Sequence, residues 1–176
     1  MGNSMKFRVL IAVCAVFAVA AMTGASGQAV AAESSADMFG CMHEGTKVGK
    51  TYIRHTDPAK LEEAVQIFEG NLEDREYPVG TVLQLVPIEA MVKHEKSAYP
   101  DSNGWEYLLF DLSSGVTKIA ARGVTAANPL GTCQSCHEGA ASFDYVCSKD
   151  HGCPPIPVTD EQIIGMQGTD PRCEAN

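Results

Sequence analysis

The chain is short of positive charge. Thirteen Lys and Arg stand against 22 Asp and Glu over 176 residues, a formal net charge of −9. Nucleic acid and anionic lipid both demand clustered basic residues, so this balance argues against either as a partner. A solvated acidic surface is the ordinary reading, and it would suit a basic redox partner protein. The chain also lacks an apolar run of spanning length. The longest, Val9 to Met22, falls short of the roughly 20 residues a bilayer crossing takes. It is preceded by Lys6 and Arg8 and followed by small residues ending in Ala29-Val30-Ala31. That three-part order is the pattern of a secretory leader cleaved after Ala31. The expected organisation is a leader over residues 1–31 and one domain over residues 32–176, periplasmic or secreted. Losing Lys6 and Arg8 with the leader makes that domain more acidic still. Neither a repeat nor a low-complexity tract occurs in it.

Cysteine usage fits an oxidising compartment. With Cys14 lost in the leader, six cysteines remain: Cys41, Cys133, Cys136, Cys147, Cys153 and Cys173. Cys133-Gln134-Ser135-Cys136-His137 has the C-x-x-C-H form of covalent haem attachment. Two thiols three residues apart can each form a thioether to one vinyl group of haem, and the next residue, His137, is placed to ligate the iron. The implied cofactor is one covalent haem c. Cys41, Cys147, Cys153 and Cys173 are then left for two disulfides with three pairings open; Cys41 is expected to tie to the tail, which is rich in Pro and Gly. Two other chemistries compete. A thiol redox C-x-x-C normally follows the first strand of a βαβ unit. Cys133, Cys136, Cys147, His151 and Cys153 lie close enough in sequence to suggest zinc.

The segment from 32 to 50 reads as irregular. Asp57-Pro58 opens a helix, with Leu61, Ala64, Val65 and Phe68 at helical spacing and Gly70 closing it. Thr81 to Val86 reads as β; Ile88 to Lys96 fits strand or helix. Trp105 to Leu112 and Val116 to Ala121 read as two strands of a hairpin around Ser113-Ser114-Gly115. Asn128-Pro129-Leu130-Gly131 is a turn, and Cys133 to Gly139 begins a short helix. Another follows Thr159-Asp160, with Ile163, Ile164 and Met166 as its apolar face.

Small electron-transfer cytochromes c carry the motif at the start of the chain. Helical-bundle cytochromes carry it near the end but have no strands. Tyr77-Pro78-Val79-Gly80-Thr81-Val82, Gly104-Trp105-Glu106-Tyr107, the Cys133–His137 motif and Phe143-Asp144-Tyr145-Val146 stand in an order that resembles the cytochrome P-460 and cytochrome c-prime-beta family. The resemblance covers roughly residues 77–147. It implies an α+β fold, an antiparallel β-sheet with a few flanking helices, and haem on the C-terminal side of the chain. It implies a mono-haem site with the motif histidine on one face and an open opposite face, and dimers formed through the sheets. The P-460 branch oxidises hydroxylamine and cross-links a lysine to its haem; the c-prime-beta branch binds nitric oxide or carbon monoxide. Here the strand after Pro78 contains no lysine; Lys93 and Lys96 lie further on, where either could reach the haem, but the ordinary reading of both is a solvated surface lysine.

Three functions follow. An empty sixth position suits a haem oxidoreductase or binder of small nitrogenous or gaseous ligands. A protein ligand there, from Met91, His94, Met166, His43, His55 or His151, makes an electron carrier. A zinc or disulfide-stabilised module is the third. Trp105, Tyr107, Leu109 and Phe110 are candidate walls of the distal pocket, and only alternate residues of that strand can face it.

Overall fold

The computed structural model describes Met1, residues 33–148 and residues 151–173. The leader expected over residues 1–31 lies almost wholly outside the described residues. No helix among them is long and apolar enough to cross a membrane.

Six strands form one antiparallel sheet in chain order: β1 (Thr46–Val48), β2 (Thr51–Arg54), β3 (Val82–Gln84), β4 (Glu89–Lys93), β5 (Trp105–Asp111) and β6 (Lys118–Arg122). The α+β expectation holds. The ambiguous segment after Ile88 resolves as strand β4. The β5–β6 hairpin closes as its turn residues require, with Gly115 at φ +76 and its N–H on the Leu112 carbonyl at 2.9 Å. The segment expected to be irregular contains β1, whose three residues are too few to show a period.

Helix α1 (Pro58–Gly70) crosses from β2 to β3. Asp57 caps its first turn by accepting from Ala59 N–H, and Pro58 occupies a position where no donor is needed. Its end differs from expectation. Gly70 is still helical, and Asn71 takes the left-handed conformation at φ 52. Asparagine tolerates that region better than most residues, so it serves as the stop.

The two sheet faces are both covered. On one, Ile53, Leu83, Met91, Trp105 and Tyr107 pack with Ala64 and Ile67 of α1 and with Val146. On the other, Val82, Ala90, Val92, Leu108, Phe110 and Leu112 pack with Phe39. Met91 and Val92, or Tyr107 and Leu108, thus part to opposite sides, the period-two consequence of the pleat. Full burial of a side chain the size of Ile53 or Leu108 contributes about 1.5–3 kcal/mol each.

Helix α3 (Asp160–Gly168) starts on a reciprocal cap between Thr159 and Gln162. Its inward face is the expected one only in part: Ile163 is buried as expected and Gln167 is buried with it, while Ile164 is exposed. Gln167 turns inward because its amide donates to the carbonyls of Lys50 at 2.6 Å and Leu85 at 2.8 Å. Beyond α3, Asp170 is buried, accepts from Met42 N–H at 3.0 Å and pairs with Arg172. The Cys41–Cys173 disulfide closes the same junction.

Candidate functional site

A small hairpin, β7 (Ala127–Asn128) and β8 (Gly131–Thr132), delivers the chain into α2 (Cys133–His137). The Asn128 amide donates to Glu89 Oε1 at 2.9 Å, which fastens this hairpin to β4. Thr132 caps α2, accepting from Ser135 N–H at 3.1 Å, and Cys133 N–H donates to the Ala126 carbonyl at 2.8 Å. One helical turn therefore carries Cys133, Cys136 and His137 together.

The cysteines divide cleanly. Cys41 pairs with Cys173 and Cys147 with Cys153, while Cys133 and Cys136, both partly exposed, stay free. This settles the open pairing and removes the zinc reading, because Cys147 and Cys153 have given their sulfurs to each other. His151 is also spent. Its ring stacks on Phe143 with centroids 3.6 Å apart, Nδ1 meets the Val146 carbonyl at 2.6 Å, and Nε2 meets Asn71 Oδ1. Burial pushes the Cys133 thiol up to about 11, with the charge of Glu89 adding to it.

His137 is half-buried beneath β5. Its ring centroid lies 5.0 Å from that of Tyr107, and its Nδ1 faces the Tyr145 carbonyl at 2.7 Å. That contact selects the tautomer with the proton on Nδ1, so Nε2 keeps its lone pair for a metal. Burial holds the imidazole below its usual range, which favours the neutral, ligating form. The Tyr107 hydroxyl is buried and finds no hydrogen-bond partner among the described protein groups. Such an orphan costs about 1–3 kcal/mol unless something supplies a partner. Two free thiols, an imidazole with an available Nε2 and an unanswered buried hydroxyl fit a group seated against α2.

The other histidines named from sequence point elsewhere. His55 spends its ring on the Val79 carbonyl and on Asp57 N–H; His94 is bound to Glu106 at 2.9 Å; His43 lies against Tyr52. Met166 lines a cleft with Val86, Ile88 and Leu112. Met91 sits in the same core as Trp105 and Tyr107. Of the wall candidates, Trp105 and Tyr107 share the face toward α2, while Phe110 packs on the opposite face against Phe39.

Lys93 overturns its reading as a solvated lysine. Its side chain is 3% exposed, and its ammonium donates to Asp144 Oδ1 at 2.6 Å, Asp144 Oδ2 at 2.7 Å and the Asn103 carbonyl at 2.6 Å. Lys96 is exposed as expected and pairs with Glu76. Asp144 is the residue that sequence reasoning missed. It also accepts from Tyr77 N–H and from the Asn103 amide, and its own carbonyl accepts from the Trp105 indole at 2.6 Å.

A family model described as Cytochrome P460 matches residues 25–148. No curated protein and no solved structure matches the chain.

Proposed function

Because the chain belongs to the cytochrome P460 family, a family of haem-binding cytochromes, we propose that it is an exported mono-haem c-type cytochrome that binds or converts small nitrogen oxides at an open iron face. The observation that carries this reading is the division of the cysteines. Four close disulfides, and the two left free are the pair that precedes His137. Cys133 and Cys136 would hold the haem, each thiol adding across a vinyl double bond, sulfur to one carbon and hydrogen to the other. His137 would ligate through Nε2 while the Tyr145 carbonyl holds the proton on Nδ1. The haem iron supplies redox and ligand-binding chemistry at one coordination position.

On this reading Tyr107, packed on the His137 ring, belongs to the histidine side of the site rather than to the wall of the ligand pocket. Nitric oxide is favoured over hydroxylamine. Among the described residues the lysines considered for a bond to haem, which the resemblance attaches to hydroxylamine oxidation, are engaged elsewhere: β3 carries none, the Lys93 ammonium is committed to Asp144 and Asn103, and the exposed Lys96 pairs with Glu76. A basic electron-transfer protein suits the acidic surface, and the two disulfides suit the periplasm.

The test is an absorption spectrum of the ferrous protein from a host that matures c-type cytochromes, with and without carbon monoxide. A Soret band that shifts with carbon monoxide supports the proposal. A low-spin spectrum that ignores it makes the protein a six-coordinate electron carrier instead. A colourless product whose mass lacks haem overturns the assignment of Cys133, Cys136 and His137.

A further inference from the structure

The buried ion pair between Lys93 and Asp144 is an unusual expense in a small domain. Removing a lysine and a carboxylate from water costs several kcal/mol per charge, recovered only with close geometry and further hydrogen bonds. Here both the close geometry and the further hydrogen bonds are present. The ammonium makes three short contacts, and the carboxylate additionally receives Tyr77 N–H at 2.8 Å and the Asn103 amide at 2.6 Å. What this cluster immobilises is a short stretch of backbone. Asp144 and Tyr145 stand consecutively in the left-handed region, at φ 52 and φ 60. For an aromatic residue such as Tyr145 that conformation is strained and persists only where the surroundings impose it. The Trp105 indole on the Asp144 carbonyl and the Tyr145 N–H on the Ala140 carbonyl, at 2.8 Å, hold the turn from both sides. The product of the turn is one oriented group, the Tyr145 carbonyl, 2.7 Å from His137 Nδ1.

We infer that Lys93, Asp144 and Asn103 are positioning residues for the axial histidine: they lock the 144–145 turn so that its carbonyl draws on the Nδ1 proton and sets how strongly Nε2 donates to iron. This rests on the reading of His137 as the iron ligand. A short, well-aligned Nδ1–H to carbonyl bond makes the imidazole more basic at Nε2. Stronger donation favours ferric over ferrous iron. Loosening the turn weakens it, so the reduction potential rises and, in ferrous protein, the iron–histidine stretching frequency falls.

The test uses the mature holoprotein. Asp144→Asn keeps size and an acceptor for Tyr77 N–H but removes the charge. Asn103→Gly removes one amide while preserving a residue at ease at φ 52, and it stands in if the first variant fails to fold. Lys96→Met breaks the exposed pair with Glu76 and is the control. The expected result is a raised potential and a lowered stretching frequency in Asp144→Asn, a smaller change of the same sign in Asn103→Gly, and none in Lys96→Met. If both variants lose thermal stability with potential and frequency unmoved, the cluster is structural only and the inference fails. If haem is bound but His137→Ala leaves the spectrum unchanged, the ligation itself is wrong.

Discussion

Gly139 and Gly152 meet backbone to backbone: a Cβ on Gly139 would lie 2.2 Å from the Gly152 carbonyl oxygen, and a Cβ on Gly152 would lie 2.7 Å from that of Gly139. The contact seats the loop closed by Cys147–Cys153 on the segment that follows α2. Neither position can accept a side chain without moving main chain. Gly139→Ala is expected to lower stability by about 2–3 kcal/mol, as overpacking against an unyielding neighbour does. Gly165→Ala, where a Cβ meets nothing inside α3, is the comparison and should be neutral or gain about 0.5–1 kcal/mol. Urea midpoints of the two variants decide it; equal midpoints would mean that the 139–152 contact is loose in solution.

The two disulfides should differ sharply in their contribution. Cys41–Cys173 spans 132 positions and Cys147–Cys153 spans 6. On the chain-entropy relation these loops correspond to about 5 and about 2 kcal/mol of stabilisation. Replacing Cys41 and Cys173 together by Ser should therefore lower the melting temperature much more than replacing Cys147 and Cys153 together. Calorimetry of the two double variants is the measurement, and a reversed order would place the dominant effect in the native state of the smaller loop.

How much of this was legible beforehand follows from the range of each signal. The motif, the capped start of α1 and the β5–β6 hairpin rest on residues within a few positions of one another, and all were readable. Strand β1 has three residues between Gly45 and Gly49, too few for any period. Gln167 faces inward for the sake of two carbonyls in distant loops, which a search for apolar periodicity passes over. Lys93 and Asp144 are 51 positions apart, and neither residue type advertises burial. The site was legible where it is local chemistry, and hidden where it depends on a long-range pairing of charges.

That hidden pairing predicts a difference in reactivity. The Lys93 side chain is 3% exposed and that of Lys96 is 59% exposed. An amine-reactive acylating reagent applied to the folded protein should modify Lys96 rapidly and leave Lys93 unmodified until the protein is denatured. Peptide mass spectrometry after native and denatured labelling reads both. Acylation of the two at similar rates would show that the Lys93–Asp144 pair opens readily and would return Lys93 to the pool of available amines.

Glu106 gives the molecule an acid-side weakness. It is fully buried on the β5 face opposite Tyr107, where it meets His94 at 2.9 Å, Arg122 at 2.8 Å and the Ser34 N–H at 3.0 Å. Burial alone would raise its pKa, but the hydrogen bonds from His94 and Ser34 outweigh that and hold the carboxyl at about 2, against an ordinary value of 4.5. A carboxylate depressed on folding contributes stability that is fully present above the unfolded value and is lost as pH falls through the folded one. The window is therefore from about pH 5 down to about pH 2, and the contribution is of order 3 kcal/mol. Glu106→Gln should be less stable than wild type at neutral pH, and the gap should close progressively across that window. Melting temperatures of both proteins between pH 7 and pH 2 test this. Parallel curves would mean that the proton is taken up elsewhere, and that the tie between Ser34 and the sheet does not depend on the Glu106 charge.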